Sequence, residues 1–193
     1  AVLGGDGIGP EVTGEGVKVL QALEPLSGHS FNLDYGDVGG ISIDKNGTAL
    51  TPEIAGLAAS ADAVLFGAVG GPKWDDPAAA VRPEDAILQL RSHLGVFANI
   101  RPVKVYPWLA ESSALKASVL EGVDMVVVRE LTGGLYYAQP KERTQTPQGW
   151  SAVDTMRYSE GEIQRILRVG FELALTRRKR LTSVDKANVL ECS

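Results

Sequence analysis

Cysteine is almost missing from this chain: Cys192 stands alone among 193 residues. An internal disulfide framework is therefore excluded, and a reducing compartment suits the composition. No apolar run approaches the roughly 20 residues that a bilayer span needs. Nor does a basic, Ser-rich leader or a signal-like apolar segment open the sequence, so no membrane partner and a cytoplasmic location are expected. Excess positive charge is also lacking. The net charge is −5, which argues against nucleic acid as a partner. Histidine is scarce, and His29 and His93 read as exposed polar residues rather than catalysts or metal ligands. There is no internal repeat and no low-complexity segment.

What is present fits an ordinary globular chain, 44% hydrophobic and 22% charged, with enough apolar residues for a real core. Both ends look cut. The first residues, Ala1-Val2-Leu3, read as a strand that has lost its beginning, and the last, Glu191-Cys192-Ser193, directly follow a motif. A partial sequence is expected.

The pattern along the chain is α/β. Ala1-Val2-Leu3 ends a buried strand, and Gly4-Gly5-Asp6-Gly7-Ile8-Gly9 forms a turn. Pro10 and Glu11 then open a helix that continues at helical spacing to Pro25. Phe31 to Val38 predicts a second strand and Pro52 to Ser60 a short helix. Asp62 to Val69 is a continuous apolar run, as in a strand buried on both faces. Arg82-Pro83-Glu84 begins a helix through Leu94, Phe97 to Val105 predicts a strand, and Val123 to Val128 predicts another, fully apolar one. Gly134 to Gln139 and Trp150 to Tyr158 flank a polar stretch, suggesting a protruding β-hairpin. Ser159-Glu160-Gly161-Glu162 is a capping box before the longest helix, with Ile163, Ile166, Leu167, Phe171 and Leu175 at periodic positions. Its basic end, Arg177-Arg178-Lys179-Arg180, would complement the negative helix terminus as a solvated last turn. Leu181 to Val184 predicts a final strand delivering Asp185-Lys186-Ala187-Asn188.

The opening glycines do not follow G-x-G-x-x-G, and no Lys-Ser/Thr pair makes a P-loop. Glycines before a helix permit positive φ and close approach of a ligand to backbone N–H groups, but a tight structural turn explains them equally well. Three arginines stand out: Arg91 on an amphipathic helix, Arg101 after Phe97-Ala98-Asn99-Ile100, and Arg129 at the end of an apolar strand. An arginine at the mouth of a buried parallel strand sits where open α/β sheets bind ligands. Guanidinium groups bind carboxylates bidentately, so converging arginines would suit a dicarboxylate; each taken singly could equally be a surface ion pair. Tyr136 and Lys186 are candidate acid–base groups, with strand packing and surface charge as their plainer roles. Asp75 and Asp76 read as a solvated pair.

Five runs in order cover essentially the whole chain: Gly5-Asp6-Gly7-Ile8-Gly9-Pro10-Glu11, Gly70-Gly71-Pro72-Lys73-Trp74, Phe97-Ala98-Asn99-Ile100-Arg101-Pro102, Val128-Arg129-Glu130-Leu131-Thr132-Gly133-Gly134-Leu135-Tyr136, and Val184-Asp185-Lys186-Ala187-Asn188-Val189-Leu190. Together they resemble the β-decarboxylating dehydrogenases, and within them look most like the 3-isopropylmalate dehydrogenases. The resemblance implies an isopropylmalate dehydrogenase-like α/β fold of two domains sharing a mixed sheet, truncated C-terminally. Residues 1–96 would form part of the first domain and 97–193 most of the second, with an arm near 133–154 interlocking two subunits of a homodimer.

The same resemblance assigns roles. Arg91, Arg101 and Arg129 would hold the substrate's carboxylates and hydroxyl, and Tyr136 would be the general acid. Lys186, reaching the partner's site, would help deprotonate the substrate hydroxyl during hydride transfer to NAD. Ile8 and the segment from Gly71 to Glu84, including Pro72, Lys73, Trp74 and Asp75, would touch the cofactor. A divalent Mg²⁺ or Mn²⁺ would be held by aspartates beyond Ser193, and the isolated chain is expected to be inactive and poorly folded. Ile87 and Leu88, with Val189 from the partner, would face an isopropyl group where isocitrate enzymes present polar groups, and Asp85 would repel a third carboxylate. The implied activity is NAD-dependent oxidative decarboxylation of 3-isopropylmalate in leucine biosynthesis. A sister enzyme acting on tartrate, malate, homoisocitrate or isocitrate stays open. So does a non-catalytic regulatory subunit, although such subunits tend to lose the tyrosine or lysine that this chain keeps.

Overall fold

The computed structural model describes residues 1–76 and 78–192, which form two compact units, Ala1–Gly95 and the chain from Val96 onward. In the first, β1 (Val2–Gly5), α1 (Gly9–Ser27), β2 (Tyr35–Gly36), α2 (Gly40–Asn46), α3 (Pro52–Ser60), β3 (Leu65–Ala68) and α4 (Asp85–Leu94) follow in order. The sheet is parallel with order β2-β1-β3. Local signals explain the helices. Pro10 lies in the first turn of α1 and Gly28, at φ 71°, closes its end by donating to the Glu24 carbonyl at 3.1 Å. This helix runs past Pro25, where the pattern predicts its end, because a proline costs the turn before it and the glycine cap completes the turn after it. Thr51 caps α3 by accepting from the Ile54 N–H at 3.3 Å.

Leu3, Val38, Ala49, Leu50, Ala58, Ala86 and Leu90 make the core, with Ile54 and Phe66 packed against it. Burying such a leucine or valine contributes about 1.5–3 kcal/mol each. β1 and β3 approach so closely that only glycine fits between them: a Cβ on Gly67 would stand 2.0 Å from the Gly4 carbonyl oxygen.

Two strand expectations are corrected here. The strand expected over 31–38 shrinks to Tyr35–Gly36, because only these residues pair with Val2 and Leu3; earlier residues run ahead of the start of β1. The run 62–69 yields only Leu65–Ala68, at the edge of a three-stranded sheet, and its residues are half-buried or exposed rather than buried on both faces.

The second unit contains β4 (Ala98–Lys104), α5 (Ala117–Leu120), β5 (Asp124–Glu130), β6 (Lys141–Thr146), β7 (Gly149–Asp154) and α6 (Glu160–Leu175). β4 and β5 are antiparallel, with Asn99 opposite Arg129 and Arg101 opposite Val127. Side chains alternate between faces along a strand, so Asn99, Arg101, Val103, Met125, Val127 and Arg129 share one face. The other face carries Asp124, Val126, Val128 and Glu130, and α6 lies against it, with an ion pair from Arg165 to Glu130 at 2.8 Å and, beyond the helix, one from Arg177 to Asp124 at 2.7 Å.

α6 starts with a complete capping box. The Ser159 hydroxyl oxygen accepts from the Glu162 N–H at 3.3 Å, and the Ser159 N–H donates to the Glu162 carboxylate at 2.6 Å. The bond from the Ser159 N–H and then the one that the Ser159 hydroxyl donates to the same carboxylate at 2.8 Å lower the pKa of Glu162.

Four further expectations fail in this unit. Residues 181–184 are irregular and Val184 is 91% exposed: a strand needs a ladder, and no described strand runs beside them. Gly134–Tyr136 is a 3-10 turn rather than a strand, while the expected hairpin is present as β6 paired with β7. Lys141–Thr146 is polar on both faces, so apolar alternation cannot reveal it. β5 is half-exposed rather than fully buried. The basic run lies beyond the last turn of α6, and Arg177 and Arg178 donate to Asp124 rather than to the helix end. That pairing, led by the hydrogen bond from Arg177, lowers the pKa of Asp124.

Candidate active site

In the first unit, chain direction defines a crevice. β1 is followed by its neighbour β2 on one side, and the chain then crosses to β3 on the other, so the order reverses at β1. Ligands of open α/β sheets bind outside the carboxyl ends of strands at such a switch point. Asp6 sits there, 4% exposed. Its carboxylate accepts backbone N–H groups from Gly40 at 2.7 Å, Ile41 at 2.8 Å and Gly70 at 2.9 Å. One side chain thus ties the glycine-rich turn, the start of α2 and the loop after β3. The opening glycines therefore do structural work: a Cβ on Gly5 would stand 2.0 Å from the Ala68 carbonyl oxygen.

The residues expected to meet the cofactor lie along this rim. Ile8 is 57% exposed. The turn Pro72–Trp74 follows Gly71 and docks on α2: Lys73 pairs with Asp44 at 2.6 Å, and Trp74 Nε1 donates to the same carboxylate at 3.2 Å while its ring lies against Gly40. These bonds, led by the one from Lys73, lower the pKa of Asp44. The Glu84 carboxylate comes close to Gly70, and Asp75 is exposed. Position 77 of this segment lies outside the described residues. On α4, Ala86 and Leu90 face the core while Ile87, Leu88 and Arg91 are half-buried; i, i+3 and i, i+4 spacing puts Ile87 and Leu88 on the side of Arg91. Asp85 accepts from the Arg82 N–H at 2.8 Å, in the turn before α4.

In the second unit, Arg101 and Arg129 are diagonal neighbours on the face of the β4–β5 pair away from α6. Arg101 Nε donates to Asn99 Oδ1. The Arg129 guanidinium lies over the ring of Tyr136, 5.2 Å from its centroid. Tyr136 is 58% exposed. Arg129 does not occupy the mouth of a parallel strand, as its sequence position suggests. It lies within an antiparallel strand, since strand direction is set by the distant partner β4. Lys186 and Val189 lie in the exposed turn 186–190, held by N–H groups of Val189 and Leu190 donating to the Lys186 carbonyl at 3.1 and 3.0 Å. Among the described residues, no hydrogen bond or ion pair joins the Lys186 side chain to Arg101, Arg129 or Tyr136.

No group of three or more His, Cys, Asp or Glu side chains that could hold a metal is found among the described residues. No helix among them is long and apolar enough to cross a membrane.

The isocitrate/isopropylmalate dehydrogenase family model matches residues 1–193, the entire chain. The chain belongs to this family. It is 57% identical over 190 residues to a 3-isopropylmalate dehydrogenase of Dehalococcoides mccartyi, covering 98% of this chain and 52% of that protein. A 3-isopropylmalate dehydrogenase of Anaeromyxobacter dehalogenans is 56% identical over 192 residues, covering 100% of this chain and 54% of the relative. Among solved structures, an isocitrate dehydrogenase from Methylococcus capsulatus superposes with a TM-score of 0.76 at 26% identity, over 99% of this chain and 52% of that one. A β-decarboxylating dehydrogenase from Thermococcus kodakarensis superposes with a TM-score of 0.65 at 30% identity, over 98% and 49%. The chain spans about half the length of the curated relatives it matches. Family membership implies NAD and a divalent metal as cofactors.

Sequence reasoning missed the residues that hold these groups in place. Asp6 was read only as part of a glycine run; a carboxylate between glycines at three loop ends is its signal. Asp44 and Arg165 gave no local sign, because their partners lie far away in the chain, and the same distance hides the tie from Glu130 to Arg165.

Proposed function

We propose that the protein carrying this chain is an NAD-dependent dehydrogenase that oxidises and decarboxylates 3-isopropylmalate, as its relatives at 56–57% identity are named. The observation that carries the reading is the Arg129 guanidinium over the Tyr136 ring beside Arg101 on an uncovered sheet face. Two cations next to a phenol can hold a carboxylate against a proton donor. Arg101 and Arg129 bind the substrate's carboxylates and hydroxyl, with Arg91 of α4 as a further carboxylate ligand, and Ile87 and Leu88 meet the isopropyl group. Lys186, with Val189, acts from one subunit of a homodimer in the site of the other, and the β6–β7 hairpin is the arm that joins them.

The chemistry at these residues balances. The substrate hydroxyl gives up its proton with help from the Lys186 amine as C2 becomes a ketone. NAD, held by the rim of Ile8 and the segment from Gly71 to Glu84, would supply the hydride acceptor for C2. The bond to the departing carboxylate then breaks, CO₂ leaves, and its electron pair remains as an enolate. The Tyr136 hydroxyl protonates that carbon. The rim of Ile8, Gly71, Pro72, Lys73, Trp74, Asp75 and Glu84 is proposed to hold the cofactor. Gly7 leaves open backbone there: a Cβ on it would have only the Gly70 carbonyl oxygen within reach, at 3.8 Å.

Replacing Tyr136 by Phe in the natural protein tests this directly. Turnover of 3-isopropylmalate should fall about 10²–10⁴-fold, the usual contribution of a positioned proton donor, with NAD affinity nearly unchanged. Undiminished turnover rejects the role, and a kcat/KM that favours isocitrate rejects the substrate.

A further inference from the structure

We infer that Glu130 and Arg165 are positioning residues for Tyr136, together fixing the turn that holds its phenol beside Arg129; this rests on the reading of Tyr136 as the proton donor. Glu130 ends β5 and, by alternation, points to the face opposite Arg129. Its side chain is 9% exposed. One carboxylate oxygen accepts the Gly133 N–H at 2.8 Å, and the other accepts the Thr132 hydroxyl at 3.0 Å and an Arg165 Nη2 at 2.8 Å. Arg165 also donates to the Thr132 hydroxyl oxygen and lies over the Phe97 ring at 4.7 Å. The Leu131 N–H donates to the Phe97 carbonyl at 2.8 Å. Residues 131, 132 and 133, the whole link between β5 and the turn Gly134–Tyr136, are thus tethered.

The link needs tethers from outside because its own residues supply no stiffness. Gly134 holds φ at 70°, which glycine permits without enforcing. Tyr158 presses on Gly134, where a Cβ would stand 2.1 Å from its hydroxyl oxygen, and the Gly134 N–H donates to the Arg157 carbonyl at 3.1 Å. The carboxylate holds the link from one side and Tyr158 from the other. Pairing with Arg165 also engages the Glu130 charge on α6's side of the sheet, so Arg129 on the other side stays available to a substrate.

The test is a double-mutant cycle on the natural protein with Glu130→Gln and Tyr136→Phe. A Gln side chain keeps the size of Glu but replaces one accepting oxygen by a donor. Alone, Glu130→Gln should lower kcat about 10–100-fold while KM for the dicarboxylate and for NAD stays within about threefold, as expected when a reacting group shifts by about 1 Å. In the Tyr136→Phe background the same change should cost less than about twofold, because its effect runs through the phenol. If Glu130→Gln does not fold, Thr132→Val, which removes the hydroxyl at constant shape, should give the same pattern at smaller size. An equal loss in both backgrounds, or no loss for either variant, overturns the positioning role while leaving Tyr136 as donor. Unchanged turnover in Tyr136→Phe overturns the reading beneath it, and this inference with it.

Discussion

The unit Ala1–Gly95 contains every residue of the hydrophobic core cluster, and its central strands meet at glycines with no room for a methyl group. From Val96 onward the organisation differs: a two-stranded sheet with one face open, a hairpin whose β7 residues are all exposed, and a helix that joins half-buried Ile166, Val169 and Leu173 to an ion pair from Arg165 to Glu130. Apolar burial fixes the first unit. The second buries fewer apolar residues, Leu120, Leu131 and Ala138 among them, and leans more on directional polar contacts at chosen points. A unit held by close packing transmits any change of volume throughout, whereas one held by separate polar ties absorbs a substitution where it falls. The proposed cofactor rim belongs to the former and the Arg129–Tyr136 pair to the latter.

That contrast can be broken most severely by Gly67→Ala. Its Cβ would also meet the Thr13 hydroxyl oxygen at 2.6 Å, and the strands must separate. A loss of about 3 kcal/mol is expected in denaturant melts, at the upper end for overpacking; a loss below about 1 kcal/mol would show that the strands yield easily, and the contrast would collapse. A far smaller effect is expected in the hairpin. Arg143 lies over the exposed Trp150 ring at 4.7 Å, and Arg143→Ala should change stability by no more than about 1 kcal/mol, as exposed cation–π pairs do. A larger cost would mean that the hairpin is braced as tightly as the sheet.

The smallest effect concerns acid. The Glu162 carboxyl is held below its ordinary pKa, first by the Ser159 N–H and then by the Ser159 hydroxyl. A depressed folded-state value means that the capping box contributes stability above the unfolded glutamate value and loses it as pH falls through the folded one. Amide protection at Ile163, relative to the intrinsic exchange rate at each pH, should therefore fall in acid more than at Val169 in mid-helix. Glu162→Gln should flatten that difference, and an equal response at both sites would remove the box as its origin.

What could be read beforehand follows from the range of each interaction. The capping box of α6 was legible because Ser159 and Glu162 lie three residues apart. In the first unit the apolar runs and glycines gave the order of the elements except α2, Gly40–Asn46, a short helix that no apolar rhythm of helical period marks. The direction of β5 was not legible, since it depends on β4 some two dozen residues away, and Arg129 was accordingly given the wrong setting. Lys141–Thr146 escaped notice because a strand solvated on both faces has no apolar rhythm. In the site, Arg129 and Tyr136 could be paired from nearby positions in one run. The Glu130–Arg165 tie joins residues 35 apart, and nothing in either neighbourhood announces the other.

The Asp6 carboxylate has a consequence for how a ligand would be met. Three loop ends share one acceptor group, so none can open without weakening the grip on the other two. Glycine-rich margins ordinarily stiffen only when something docks, and that ordering subtracts from affinity. Here the stiffening happens during folding, and an incoming molecule finds the border already set. Association at that border should then be governed by encounter and fit, with little waiting for the backbone to rearrange.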